Sequence, residues 1–82
     1  MFRSESLEEL NEFARREYGS YFLGCELEKR RMYPHPPDSL VCKFDVDLRT
    51  EYLDAFFDDF ASRLDDIERD VGRVLNVKIL RV

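Results

Sequence analysis

Residues 50–73 read TEYLDAFFDDFASRLDDIERDVGR, and the spacing of their apolar side chains decides the architecture. Leu53, Phe57, Phe60, Leu64, Ile67 and Val71 recur alternately at four and three residues, the period of one helical face. The stretch predicts an α-helix of about six turns starting near Thr50, buried along that seam and solvated opposite it. Gly72 supplies the left-handed stop that helix C-termini favour. Eight acids (Glu51, Asp54, Asp58, Asp59, Asp65, Asp66, Glu68, Asp70) stand here against three arginines (Arg63, Arg69, Arg73), and the difference is the whole net charge of −5. The second half of the helix pairs its charges as Asp59–Arg63, Asp65–Arg69, Asp66–Arg69 and Asp70–Arg73 at three- and four-residue spacing. The first half leaves Glu51, Asp54 and Asp58 without a base on the same helix.

Outward from this helix the periodicity changes to two. Downstream, residues 74–82 are rich in β-branched residues, with Leu75, Val77 and Ile79 on one face and Val74, Leu80 and Val82 on the other. Upstream, Leu40, Cys42, Phe44, Val46 and Leu48 alternate with Val41, Lys43, Asp45 and Asp47, and before them Tyr21, Leu23, Cys25 and Leu27 alternate with Phe22, Gly24, Glu26 and Glu28. The intervening Pro34-His35-Pro36-Pro37-Asp38 can continue neither a helix nor a ladder, so the two runs read as an antiparallel hairpin. Charge selects its register. Facing residue numbers that add to 71 set Glu28 opposite Lys43, whereas 73 places like charges together; 69 also satisfies the parity. At 71 the two cysteine sulfurs lie about 13 Å apart along the strands, which predicts two reduced core thiols.

The first element is a helix over residues 7–18. Leu7, Leu10, Phe13, Ala14 and Tyr18 share a face, Ser6 and Glu9 have capping-box spacing, and Gly19 ends it. The expected fold is therefore α+β: one domain over residues 1–82, order α-β-β-α-β, a mainly antiparallel three-stranded sheet of order 2-1-3, and both helices on one face.

At 82 residues and 44% hydrophobic composition the chain has core material for one small domain. No run approaches the roughly 20 apolar residues of a membrane span, and the N-terminal residues lack the apolar stretch of a signal peptide, so a cytoplasmic protein is expected. Two cysteines without C-x-x-C spacing, and a single histidine, make no metal site or disulfide framework. Neither a Gly-rich phosphate loop nor the G-x-x-G clamp of KH-type RNA-binding domains is present among Gly19, Gly24 and Gly72. No catalytic constellation, cofactor or metal ligand set is read.

Three functional readings follow. The leading one is a small acidic protein–protein interaction module (regulatory, adaptor or inhibitor) that docks a basic partner through Glu51, Asp54, Asp58 and Asp65, the acids standing in for a row of nucleic-acid phosphates. The alternative is a nucleic-acid binder that grips a strand with Lys29, Arg30, Arg31 and Tyr33 at the hairpin tip, against the acidic balance of the whole chain. The third is a dimeric ligand-binding protein or enzyme, whose pocket would draw on Tyr18, Tyr21, His35 and the cysteines. Phe22, Val74, Leu80 and Val82 form a second apolar set, which predicts a homodimer interface.

Overall fold

The computed structural model describes residues 4–28 and 38–82. Helix α1 (Glu5–Tyr18) runs through a 3-10 turn (Gly19–Tyr21) into strand β1 (Phe22–Glu28); strand β2 (Ser39–Phe44), helix α2 (Thr50–Val71) and strand β3 (Asn76–Arg81) follow. The element order is the expected one. The sheet order is not: β2, rather than β1, is central, pairing antiparallel with β1 and parallel with β3, so the sheet is mixed. Helix α2 is thus the crossover of a β-α-β unit between adjacent strands. The reason lies in the composition of β2. Leu40, Val41 and Cys42 are all buried, and a central strand has a neighbour on each side whose side chains can shield an apolar residue on the outer face, where an edge strand has only one. On the outer face Val41 lies between Glu26 and Lys78. The ion pairs Lys43–Glu26 (3.8 Å) and Lys78–Glu28 (3.3 Å) flank it, their aliphatic stems shielding the valine.

The hairpin register also differs. Cys25 faces Cys42 and Leu27 faces Leu40, so facing numbers add to 67, and a bulge between Phe22 and Gly24 shifts the strand's parity. Gly24 takes φ 126°, a conformation side chains disfavour. Beyond the bulge Phe22 turns into the core while Tyr21 and Leu23 point to solvent. The two cysteines, expected to be separate thiols, form a buried disulfide. Backbone geometry brings them together: the Cys25 N–H and C=O point away from β2, which makes Cys25–Cys42 a pair of the closely approaching kind, with Cα atoms 4.0 Å apart.

Those outward groups of Cys25 are taken by one side chain. Asn11 of α1 accepts from the Cys25 N–H (2.8 Å) and donates to its C=O (3.0 Å), as a neighbouring strand would. Its amide also donates to the Leu7 carbonyl (3.2 Å), so the β1 edge is closed at its middle by the first helix.

Helix α1 begins two residues earlier than its capping-box pattern implies. Ser4, not Ser6, is the cap, its hydroxyl accepting from the Leu7 N–H at 3.1 Å. The same hydroxyl donates to Asp70 near the end of α2 (2.7 Å), and the Ser6 N–H reaches the same carboxylate oxygen (3.3 Å). Asp70 thus serves as the anion at the start of α1. These hydrogen bonds, the serine hydroxyl's first, hold its carboxyl below its ordinary value of 3.8. A depressed carboxylate stabilises the fold above the unfolded-state value, and that contribution is lost as pH falls through the lower folded-state value. Urea midpoints measured from pH 6 down to pH 2 are expected to fall more steeply in the wild type than in Asp70→Asn below 3.8. Parallel curves would contradict this link between the helices.

The buried side of α2 is Phe56, Phe60, Ile67 and Val71, with Leu53 and Leu64 partly buried; Phe57 is 52% exposed. The core therefore takes Phe56 where the four-and-three pattern predicts Phe57. At 100° per residue, Phe56 lies on one side of Phe60 and Phe57 on the other. Arg63, over the Phe13 ring at 5.0 Å, and Asp70, bonded to Ser4, mark the Phe56 side as the one facing α1. Because α2 packs on α1 as well as on the sheet, its buried arc is rotated toward α1. Phe56 then joins Phe44 (4.9 Å), Phe60 (5.6 Å) and Tyr18 (6.0 Å) in one aromatic cluster. The C-terminus of α2 is held by Glu68. Its backbone carbonyl accepts from Gly72 and Arg73, and its carboxylate accepts from the Leu75 N–H at 2.7 Å, which sets the turn into β3.

Candidate interaction surface

The outer side of α2 is the longest charged feature among the described residues. Glu51, Asp58 and Asp65, seven residues apart, fall within about 40° of one line along the helix and span about 21 Å. Asp54 stands beside them. All four are exposed, and none makes an ion pair with another described residue. Of the pairs expected within the helix, Asp66–Arg69 is present at 3.5 Å. Arg63 lies over the Phe13 ring, and Asp70 accepts from the Ser4 hydroxyl. Arg69, the one base expected to serve a member of the row, is taken by Asp66, so Asp65 has no ion pair with another described residue.

Near the N-terminal end of this row is an open pocket of about 410 Å³. It is lined by Tyr18 and Glu17 at the end of α1, Tyr21 in the 3-10 turn, Asp47, Leu48 and Arg49 between β2 and α2, and Tyr52 in the first turn of α2. Its walls are held by hydrogen bonds from backbone and side-chain groups. The Asp45 N–H donates to the Tyr21 carbonyl (2.8 Å), and the Asp45 carboxylate accepts from the Asp47 N–H (2.9 Å), an Asx turn. Arg81 donates to the Leu48 carbonyl (3.1 Å), and the Tyr52 N–H donates to the Arg49 carbonyl (3.1 Å). Tyr18 stands edge-on to Phe44 and Phe56, so its ring is anchored in the core. Burial first, then the charges of Asp59 and Glu17, push the Tyr18 hydroxyl above its ordinary value and keep it a neutral phenol.

The remaining expected site residues separate. Phe22 is 6% exposed in the core and leaves the outer apolar set, whereas Val74, Leu80 and Val82 remain exposed. Lys29, Arg30, Arg31, Tyr33 and His35, with the proline loop, lie outside the described residues. The cysteines are oxidised and buried, so neither is a thiol nucleophile. Among the described residues no group of histidine, cysteine and acidic side chains has the arrangement to hold a metal ion, and no helix is long and apolar enough to cross a membrane.

Tyr18 and Tyr21 were readable as polar groups near the core, but Glu17, Asp47, Arg49 and Tyr52 carry no motif. The signal in the sequence was the position of Tyr52, an aromatic residue off the apolar seam in the first turn of an acidic helix. Comparison with protein-family models, with curated proteins and with solved structures gives no match.

Proposed function

We propose that this chain is a small acidic protein-interaction module that docks a basic partner protein along the outer face of α2. The observation that carries the reading is the row of Glu51, Asp54, Asp58 and Asp65, exposed over about 21 Å and in no ion pair with another described residue. Uncompensated charge of one sign on a rigid helix raises the encounter rate with an oppositely charged surface and repels like-charged ones. A regulatory, adaptor or inhibitory role is compatible with such a surface, and the acids then occupy places that phosphates take on a nucleic acid.

The test is affinity capture at low salt with the wild type and with a variant carrying Glu51→Lys, Asp54→Lys and Asp58→Lys. These side chains are on the exposed face, so the fold should persist, as a far-ultraviolet spectrum would verify. A basic protein retained by the wild type and lost by the variant is the expected result. Equal retention by both would remove the acidic face from the account.

A further inference from the structure

The pocket at the start of α2 has a lining that the row of acids alone does not explain. Three tyrosines and a leucine supply apolar and aromatic wall, while Glu17 and Asp47 supply negative charge against a single base, Arg49. Asp59, whose charge acts on Tyr18, adds to the negative field. A volume of about 410 Å³ is within the range of sites that enclose a small ligand or one long side chain. Aromatic faces attract cations, and long basic side chains carry an apolar stem behind the charge. The hydrogen bonds through Asp45, Leu48 and Arg49 hold the walls in place before anything binds.

We propose that this pocket receives one long cationic side chain, lysine or arginine, of the docked basic partner. The stem lies against the tyrosine rings and the charge is drawn to Glu17 and Asp47. The inference rests on the docking reading above: the α2 row supplies broad attraction, and the pocket supplies a defined point of insertion that fixes the partner's position.

Single capped amino acids separate the two claims, because one side chain is too small to span the row. The labelled wild-type protein is titrated, at up to tens of millimolar, with N-acetyl-lysine methylamide, N-acetyl-arginine methylamide and the uncharged N-acetyl-norleucine methylamide, and its backbone amide signals are followed. Saturable shifts at Tyr18, Tyr21, Asp47 and Tyr52 are expected from a cationic probe and not from norleucine. The double variant Tyr21→Leu, Tyr52→Leu alters two half-exposed rings and is expected to weaken that binding about tenfold. The Glu51→Lys, Asp54→Lys, Asp58→Lys variant is expected to keep saturable pocket binding while losing affinity for hexalysine. The inference is overturned by any of three results: no saturable shift with either cation, equal shifts with norleucine, or unchanged binding by the double tyrosine variant. Loss of hexalysine binding in the lysine variant would uphold the docking reading even then, whereas hexalysine binding insensitive to those substitutions would count against docking itself.

Discussion

Phe56→Ala is expected to cost about 3–5 kcal/mol, and Phe57→Ala, one residue away, less than about 1 kcal/mol. Phe56 is fully buried and its ring meets those of Phe44, Phe60, Tyr18 and Phe22; Phe57 is half exposed and, among the described residues, its ring lies near that of Phe60 alone, at 6.2 Å. Removing the buried ring loses its transfer free energy and leaves a cavity that the surrounding aromatic rings cannot close. An 82-residue domain has a total stability of about 4–12 kcal/mol, so Phe56→Ala removes from about a quarter of it to all of it. Urea denaturation of both variants measures the difference. Equal costs, or a larger cost at Phe57, would mean that α2 is rotated away from α1 and that the aromatic cluster is wrongly placed.

Loss of the Cys25–Cys42 bond is the second large effect. The bond links directly facing residues of β1 and β2 separated by 17 positions. Cross-linking a loop of that length removes chain entropy from the unfolded state, a stabilisation of about 3 kcal/mol. Reduced wild type and the Cys25→Ala, Cys42→Ala variant should both unfold at lower urea than the oxidised protein, by roughly 2 M. Disulfides persist in oxidising surroundings, so the fold reaches full stability only there. A reduced protein with an unchanged midpoint would contradict the pairing of Cys25 with Cys42.

The pattern of what could be read from the residues has a physical explanation. Element order, the limits of α2 and the inward face of β3 follow from local periodicity, and Leu75, Val77 and Ile79 do turn to the core. The failures come from tertiary terms. Phe56 and Phe57 both fit a helical seam, and only the presence of α1 on one flank chooses between them. The alternation of β1 reads through Leu23 without interruption, yet one bulge at Gly24 exchanges Phe22 for Tyr21 and Leu23 in the core. Once that parity is broken, charge pairing no longer selects the register: Lys43 finds Glu26, and Glu28 finds Lys78 from the strand on the other side.

The central place of β2 did leave a trace, the unbroken run Leu40-Val41-Cys42, which an edge strand with one wet face has no use for. Asn11 left none. An asparagine on the flank of a helix gives no sign that it completes a strand edge. The acidic row was legible because surface charge at helical spacing needs no partner to be seen. The tyrosine pocket was not, because its lining comes from the end of α1, the 3-10 turn, the loop after β2 and the start of α2.

The central claim is that charge on α2 drives association, and its most direct test is the affinity of the captured partner as a function of salt. Titration calorimetry at 50 mM and 500 mM sodium chloride is expected to show at least about tenfold weaker binding at the higher concentration, where exposed charges are screened within a few ångströms. The Glu51→Lys, Asp54→Lys, Asp58→Lys variant should bind weakly at both. Affinity that is independent of salt and unchanged in the variant would contradict the account.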